Sequence, residues 1–340
     1  MSGGVDSSAS AILLKQQGYE VIGATMLLWK EQENSNAVQD AKNVCDLLEI
    51  PHIVLDLRDT FQHCVVQHFI TEYKDGRTPN PCVQCNKYLK FGCFYEKAIE
   101  LGCDFIATGH YARIEDSAYY QQRVLKKSKE IEKDQSYFLY GIPKPVLSHI
   151  LFPLQNYTEK SKIRQLASCY HLPVATKKDS QEICFITDNA YTKFLEKQME
   201  QLPKQGKFVL KDGTIVGTHK GIIYYTIGQR KGLGISYQHP LYVVEIDKTN
   251  NTIVLGEEKE LFSTQVKINN LNFLVPEEKI PEKRLQAKIR YRSKEAACKI
   301  RQKNQDSLIL EFDIPQRAVA KGQSVVLYDE DIVLGGGIIV

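Results

Sequence analysis

The periodicity of the apolar residues changes once along this chain, near residue 195, and this change limits the folds that the chain can adopt. Before it, helix-like segments such as 7–17 alternate with strand-like runs such as 19–29 and 52–57. Strands separated by helices predict right-handed βαβ units and a mainly parallel, doubly wound sheet of the α/β class. Ligands of such sheets bind at the carboxyl ends of the strands, so we look for chemistry in the loops there.

Beyond this point the chain consists of short β-branched runs separated by turn signals, for example 241–246 and 324–328. This pattern is typical of small all-β units and barrels. A chain of 340 residues is expected to hold two or three domains. We therefore predict an α/β domain over 1–194, a small β-rich central domain over 195–257 and a C-terminal β-barrel over 258–340.

Composition excludes several classes of protein. With 43% hydrophobic and 25% charged residues, the chain is not of the disordered, fibrous or collagen-like type. The net charge of +3 means that a nucleic-acid partner has to be bound by a local basic patch. No apolar run approaches the roughly 18 residues of a membrane-spanning helix, and the start does not resemble a signal peptide. The nine cysteines lack the regular spacing of a secreted disulfide scaffold, which favours a reducing, cytoplasmic location and no membrane partner.

A glycine-rich loop precedes the first predicted helix and has the features of a phosphate site. It comprises Ser2, Gly3, Gly4, Val5, Asp6, Ser7 and Ser8. The two glycines allow the backbone to approach a ligand closely, and the helix start offers free N–H groups at the positive end of the helix dipole. The serine hydroxyls can add donors, and the aspartate can help to hold a metal ion that screens phosphate charge. The loop lacks the lysine of a Walker P-loop, and the structural alternative is an ordinary serine or aspartate helix cap.

Two parts of the chain carry cysteines whose surroundings point to chemistry. Cys82 and Cys85 form a single C-x-x-C, which fits a redox pair, half of a metal site or chance. A helix start and the nearby cations Arg77 and Lys87 predict a lowered thiol pKa there. Cys184 follows a pair of lysines, which again favours a thiolate, although its apolar neighbours also fit core packing. We predict packing roles for most of the other cysteines, at positions 45, 64, 93, 103, 169 and 298.

Eight sequence blocks occur in the order typical of one family. They are SGGVDSS (2–8), GRTPNPCVQCN (76–86), ATGHYAR (107–113), KDQSYFLY (133–140), KKDSQEICFI (177–186), TIGQRKGLGI (226–235), IRYR (289–292) and LGGGII (334–339). Over nearly its full length the chain thus resembles the tRNA-specific 2-thiouridylases, and its glycine loop resembles the PP-loop of the ATP pyrophosphatase superfamily. The resemblance implies a PP-loop ATP pyrophosphatase type of fold, with an adenylation function, for the first domain.

The chain departs from this resemblance before the loop. The PP-loop of the superfamily follows a β-strand, whereas here only Met1 precedes the loop. The resemblance therefore predicts either a start further upstream or a sheet without one central strand, whose neighbouring strand edges are unpaired. Restoring about six apolar residues upstream, the length of a typical strand, is expected to raise solubility and adenylation.

The resemblance also implies a reaction. ATP, with Mg²⁺, adenylates the C2 carbonyl oxygen of the wobble uridine in the tRNAs for Lys, Glu and Gln, and AMP and pyrophosphate leave. Cys184 matches the cysteine that carries a persulfide, and Cys85 matches a nucleophile that releases the sulfur by closing a disulfide with Cys184. Asp6 of the loop is the third residue to which we assign a catalytic role. The sulfur donor is expected to be a relay protein or a cysteine desulfurase.

A second departure leaves the sulfur chemistry open. Many members of the family carry Asp at the position of Cys82, where the side chain is assigned to the target base. With a cysteine there, Cys82, Cys85 and Cys184 could instead converge on a [4Fe–4S] cluster with one iron open to bind sulfide. The persulfide mechanism is our prediction, and the cluster is its alternative.

The resemblance assigns further binding residues outside the loop. Met26 matches a position beside the adenine, and Gly109, at a predicted strand end, permits close approach of ATP to the backbone. The positions that match contacts with the anticodon loop are Asn80, Pro81, Cys82, His110, Lys133, Asp134, Gln135, Arg290, Tyr291 and Gln323. A basic glycine-rich turn at 228–234 is suited to phosphate contact. Read without the resemblance, Met26 fits core packing and 133–135 fits a solvated charge cluster.

Two other classes of function stay open. A small-molecule PP-loop ligase or amidotransferase would use the same loop, but it needs neither the distant cysteines nor the β-rich second half. A non-catalytic RNA-binding protein would need the basic surfaces and no ATP chemistry.

Overall fold

The computed structural model describes residues 1–33, 35–177, 183–186, 191–199, 201, 203–280 and 284–340. Its α-helices are α1 (Val5–Gln16), α2 (Asn36–Leu47), α3 (Arg58–Phe61), α4 (His68–Lys74), α5 (Pro81–Gln84), α6 (Phe94–Glu100), α7 (Ser136–Leu139), α8 (Lys160–Cys169) and α9 (Tyr191–Gln198). Two further stretches, Gln62–Gln67 and Cys85–Cys93, are wound as π-helix.

The strands fall into an early and a late group. The early strands are β1 (Gly23–Leu27), β2 (His52–Asp56), β3 (Ile106–Ala107), β4 (Arg113–Ser117), β5 (Gln122–Lys126) and β6 (Ile150–Leu151). The late strands are β7 (Gly206–Leu210), β8 (Ile215–His219), β9 (Tyr242–Asp247), β10 (Thr252–Gly256), β11 (Phe262–Phe273), β12 (Leu285–Lys288), β13 (Ala296–Lys303), β14 (Ser307–Arg317), β15 (Ser324–Asp329) and β16 (Ile332–Ile339).

The first part of the chain is built from parallel strands and helices, which confirms the α/β prediction. β1 pairs with β2 and β3 pairs with β6, both in parallel. Among the described residues the two pairs are not joined into one sheet. The run predicted as a strand over 19–29 is shorter in the structure, because Tyr19 and Ile22 remain exposed in the connection that follows α1. The buried face of α1 packs with residues of α2 and α8 in one hydrophobic core.

The middle of the chain forms a four-stranded sheet in the order β8-β7-β10-β9. β7 and β10 are parallel, and the other neighbours are antiparallel. Its buried residues Phe208, Val243 and Ile253 share a hydrophobic cluster with Phe61 and Phe69, which lie at the end of α3 and on α4. The central sheet therefore packs directly against the helices of the first part.

The last part of the chain forms a closed β-barrel, as predicted. Six strands follow each other in the order β11-β14-β13-β12-β15-β16, and β11 also pairs with β16, which closes the barrel. The β4–β5 hairpin extends this sheet through an antiparallel pairing of β5 with β16, which the sequence pattern does not predict. The hairpin belongs to the first part of the sequence, so the barrel and the α/β region share a continuous hydrogen-bonded sheet.

One turn of the barrel also rests on the loop that precedes the paired cysteines. The backbone N–H of Thr78 donates to the Lys321 carbonyl oxygen at 2.8 Å, and the side-chain amide of Gln323 donates to the Thr78 carbonyl oxygen, also at 2.8 Å. Residues near the end of the chain thus help to define the conformation of this loop. Within the described ranges, no helix has the length and apolar character that crossing a membrane requires.

Candidate functional site

The nucleotide loop, residues 2–8, leads directly into α1 and leaves the start of that helix open. Gly4 is the N-cap residue and no side chain caps the helix, so the first-turn N–H groups have no intrahelical partner. The hydroxyls of Ser7 and Ser8 both donate to the Gly4 carbonyl oxygen at 3.0 Å. In this conformation the hydroxyls hold the loop together, and the backbone amides are the donors that fit a phosphate.

Two glycines allow close packing around the loop. Gly3 has φ of +64°, and a Cβ atom there would lie 2.3 Å from the carbonyl oxygen of Ala37 in α2. Gly109 follows β3, and a Cβ atom there would lie 2.9 Å from the carbonyl carbon of Asp6. Because larger residues would force these segments apart, the glycines bring the loop, α2 and the end of β3 together. The structure thus places Gly109 against the loop, and its contact with ATP stays a prediction.

The Asp6 carboxylate is held by two side chains that are distant in sequence. The Lys160 ammonium, at the first position of α8, lies 2.5 and 2.6 Å from its two oxygens. The Tyr111 hydroxyl donates to one of them at 2.8 Å. Asp6 is therefore already paired in this structure, and a metal ion would have to displace or share these partners. The catalytic role of Asp6 stays a prediction.

Met26 lies on β1, close to where the loop begins. The hydroxyl of the preceding residue, Thr25, donates to the Met1 carbonyl oxygen at 2.9 Å, so β1 runs alongside the start of the chain. The Met26 side chain is half-buried. Its predicted position beside the adenine stays a prediction.

The tertiary structure brings Cys184 to the paired cysteines. Cys85, which is 9% exposed, lies in the same hydrophobic cluster as Ile186. The segment 183–186 is anchored there by Phe185, whose ring lies 5.4 Å from that of Phe61 and 5.7 Å from that of Phe69. Cys184 itself stays accessible, close enough to the other two thiols for their charges to raise its pKa.

The prediction of lowered thiol pKa values is wrong for this structure. Cys82 and Cys184 reach solvent, yet all three thiols are surrounded by enough protein that desolvation raises their pKa, for Cys184 to about 12. The Lys90 ammonium opposes this shift at each thiol, but burial outweighs it.

The cations named from the sequence are engaged elsewhere. Arg77 forms ion pairs with Glu72 and Asp75, and Lys87 lies over the ring of Tyr88. The first lysine before Cys184 is bound at the nucleotide loop, and the second, at position 178, lies outside the described residues. Nearness in sequence therefore did not identify the cation that faces the thiols.

His110 stands between the nucleotide and thiol regions. Its Nε2 lies 3.3 Å from the Lys90 ammonium, and its Nδ1 lies 2.8 Å from the Thr108 hydroxyl. Burial, with a further contribution from Lys90, holds the pKa of His110 well below the ordinary value. The imidazole is therefore neutral at neutral pH and offers a hydrogen bond rather than a positive charge.

Residues predicted to contact RNA come together from three parts of the chain. Asn80 and Pro81 begin α5, next to the turn that is held by Gln323. The Tyr291 ring lies 4.3 Å from that of Phe138, whose carbonyl oxygen accepts from the Asn86 amide at 3.0 Å. Two further members of this set lie as follows: Arg290 is half-buried and donates to the Ala318 carbonyl oxygen, and Lys133 is exposed.

Two residues of the 133–135 segment form hydrogen bonds within the protein. The Asp134 carboxylate is buried and accepts from the Ser128 N–H at 2.8 Å and from the Ser136 hydroxyl at 2.7 Å. Gln135 exchanges two hydrogen bonds with the backbone of Tyr111, at 2.9 and 3.0 Å. Because Tyr111 also holds Asp6, Gln135 is two contacts away from the nucleotide loop. The predicted RNA contacts of this segment stay predictions.

The described residues offer no preformed metal centre. Within them, no group of three or more His, Cys, Asp or Glu side chains is arranged to hold a metal ion. The [4Fe–4S] cluster stays an alternative, and we derive no step through one.

Sequence reasoning missed three residues of the site: Lys90, Lys160 and Tyr111. Tyr111 lies inside the block at 107–113, but nothing in the sequence connects it to Asp6. Lys90 follows Cys85 by five residues in a π-helical stretch, a spacing that an ordinary helical period does not place on one face. Lys160 opens a helix far from the loop in sequence, so only the fold identifies it.

Comparison with known proteins agrees with this architecture. The family model described as "tRNA methyl transferase HUP domain" matches residues 1–188, the "PRC-barrel domain" of the same series matches 192–257, and "Aminomethyltransferase beta-barrel domain" matches 263–339. A PP-loop HUP domain with two β-rich domains defines a class of ATP-using enzymes. The structure of NMN synthetase from Francisella tularensis is a distant match, with 17% identity over 53% of this chain and 63% of that chain and a TM-score of 0.32.

Full-length relatives specify the family. The tRNA-specific 2-thiouridylase MnmA of Clostridioides difficile is 47% identical, over 100% of this chain and 96% of the relative. The tRNA-specific 2-thiouridylase MnmA of Acetivibrio thermocellus is 48% identical, over 100% of this chain and 97% of the relative. The chain belongs to the tRNA-specific 2-thiouridylase family, which confirms the resemblance inferred from the eight blocks.

Proposed function

We propose that this chain is an ATP-dependent tRNA-uridine 2-sulfurtransferase, a tRNA 2-thiouridylase. The observation that carries the proposal is that Cys184 lies close enough to Cys85 for their charges to interact, in a chain that also has an open, glycine-lined helix start. A ligase that acts on a small molecule has no use for two thiols brought together from distant parts of the chain. The relatives named as thiouridylases support the same conclusion, because they match the whole chain.

The chemistry follows from the need to remove a poor leaving group. Transfer of AMP from ATP to the C2 oxygen of the wobble uridine makes that oxygen a good leaving group and releases pyrophosphate at the nucleotide loop. The terminal sulfur of a persulfide on Cys184 attacks C2, and AMP leaves. The Cys85 thiolate then attacks the Cys184 sulfur, which breaks the S–S bond to the former terminal sulfur and leaves it on the uridine. A disulfide between Cys85 and Cys184 remains, and an external thiol reductant returns it to two thiols.

The finer assignments belong to the same proposal. The RNA substrates are tRNAs for Lys, Glu and Gln, bound through the anticodon loop with the target base turned out of its stack. ATP is used with Mg²⁺, the sulfur comes from a relay protein or a cysteine desulfurase, and the location is cytoplasmic. The domain limits are those predicted from the sequence, 1–194, 195–257 and 258–340, and the ranges of the family models support them.

One incubation tests the proposal. The protein is mixed with ATP, Mg²⁺, a desulfurase that supplies persulfide sulfur, and unmodified tRNA, and 2-thiouridine and AMP are measured. We expect both products in equal amounts. AMP without thiolated tRNA supports a small-molecule PP-loop ligase instead, and tRNA binding without AMP supports an RNA-binding protein.

Anaerobic purification separates the persulfide mechanism from the [4Fe–4S] alternative. Colourless protein that is fully active supports the persulfide mechanism. About four irons per chain, lost in Cys82→Ala together with activity, support the cluster.

A further inference from the structure

The nucleotide loop has to bind a polyanion, but it carries no cation of its own. Residues 2–8 contain no Lys or Arg, and the first basic residue of α1 is Lys15. The Lys15 ammonium is bound to the Leu48 carbonyl oxygen and belongs to the last turn of the helix. Backbone amides and a helix dipole offset only part of the charge of a triphosphate. The remaining positive charge has to come from elsewhere in the fold.

Two lysines from distant parts of the sequence place their ammonium groups on this loop. Lys160, the first residue of α8, lies 2.5 and 2.6 Å from the two oxygens of Asp6 and is only 15% exposed. Lys177 donates to the Gly3 carbonyl oxygen at 2.9 Å and to an Asp40 carboxylate oxygen at 2.7 Å. The two ammonium groups therefore contact the loop at Gly3, before the start of α1, and at Asp6, in the first turn of α1.

The two lysines differ in what they leave available to a ligand. Lys160 neutralises Asp6, the one acid of the loop, which would otherwise repel a phosphate placed at the first turn of α1. An ammonium has three N–H donors, and Lys177 uses two of them on Gly3 and Asp40. Its side chain is 41% exposed, so the third donor can reach a bound anion.

We propose that Lys160 and Lys177 are phosphate-positioning residues of the nucleotide site: Lys160 cancels the charge of Asp6, and Lys177 donates directly to the phosphates. This proposal rests on the proposed use of ATP and deepens it. The two lysines together take the place of the single P-loop lysine that this loop lacks.

The test compares ATP with adenosine, because only ATP carries the phosphates. Dissociation constants for both are measured in EDTA by calorimetry for the wild type, Lys160→Met and Lys177→Met. We expect each substitution to weaken ATP binding by about tenfold, the effect of losing one charge-assisted interaction, and to change adenosine binding by less than twofold. Lys160→Gln keeps a donor to Asp6 without the charge and should fold even where the methionine variant does not.

The matched control is Lys162→Met, on the same helix. It removes the same charge from a lysine that is 56% exposed and pairs with Glu159, and we expect no change in ATP affinity. Adding Asp6→Asn to Lys160→Met should restore part of the ATP affinity, because the uncompensated charge is removed. Equal loss of ATP and adenosine binding, or ATP affinity within twofold of the wild type in both variants, would overturn the proposal. A wild type that binds no ATP contradicts the proposed function itself.

Discussion

The nucleotide loop and the thiol cluster (Cys82, Cys85 and Cys184) lie in one α/β region, but their charges are stabilised differently. At the loop each charged group has a charged partner: Asp6 is bound by Lys160, and Lys177 is bound by Asp40. At the thiols burial dominates, and the pKa of Cys85 is raised even though the Lys90 ammonium opposes the shift. One site is therefore prepared for an anion, and the other keeps its sulfur atoms protonated when no substrate is bound.

The difference fits the two half-reactions that we propose. A phosphate site works best when its donors and charges are in place before the ligand arrives, since little reorganisation is then needed. Thiolates are nucleophiles towards many electrophiles, and protonated thiols are far less reactive. In the proposed reaction the charges at the loop are already paired before ATP binds, whereas the thiols, whose pKa is raised by burial, have to lose a proton before sulfur transfer.

The largest expected effect is a loss of thiolation that leaves the function of the nucleotide loop unchanged. Cys184→Ser should lower thiolation by about a thousandfold or more, because it removes the atom that we propose carries the sulfur. ATP and tRNA binding should be unchanged, since none of the loop's hydrogen bonds and ion pairs among the described residues involves this side chain. Liquid chromatography of digested tRNA measures 2-thiouridine, and filter binding measures tRNA affinity. Cys169→Ser, at an exposed cysteine of α8, is the control and should be fully active. Retained thiolation in Cys184→Ser would contradict the mechanism.

A second substitution breaks the paired charges of the loop. Asp6→Asn should lower AMP formation and thiolation together, roughly tenfold to a hundredfold, because an ion pair with Lys160 and an acceptor for Tyr111 are weakened. Steady-state measurement of both products gives the two rates. Thiol alkylation at Cys184 should stay as in the wild type. If the alkylation rate changes as well, the two regions are not independent.

The third prediction changes the charge next to the thiols. Lys90→Met should raise the pKa of Cys82, Cys85 and Cys184 further, because their only described opposing cation is removed. With less thiolate at a given pH, alkylation by iodoacetamide at pH 8 should slow by a few fold, and the pH profile should shift upward. Peptide mass spectrometry follows each cysteine separately.

Two variants serve as controls for this experiment. Lys90→Arg keeps a cation and should behave like the wild type. Lys87→Met removes a lysine of the same π-helical stretch that lies over the Tyr88 ring, and it should leave the profile unshifted. An unchanged profile in Lys90→Met would show that Lys90 does not act on the thiols.

The smallest expected effect concerns the neutral histidine between the two regions. The folded-state pKa of His110 lies below its unfolded value, so below about pH 6.5 the unfolded chain binds more protons than the folded one. Stability should therefore fall as the pH is lowered, by up to about 1.4 kcal/mol per pH unit from this residue. His110→Gln should show a flatter dependence between pH 7 and 5 in urea unfolding, and parallel curves for the two proteins would refute the assignment.

The local pattern of apolar residues was sufficient to predict much of the fold. The alternation of helix and strand up to residue 195 predicts the parallel pairs, and the β-branched runs beyond it predict the closed barrel. Both signals depend on side-chain periodicity, which reflects the elements themselves. The pairing of β5 with β16 was not predictable in this way, because it joins residues that are far apart in the chain.

At the site, too, some features could be predicted from the sequence and others could not. The sequence by itself determined the chemical groups: a glycine loop without a lysine, a C-x-x-C and a distant cysteine in the order of one family. Only the tertiary structure decided which charges face them. Lys160 rather than a neighbour holds Asp6, and Lys90 rather than Arg77 or Lys87 faces the thiols. Electrostatic interactions and desolvation depend on distances through space, and those distances exist only once the chain has folded.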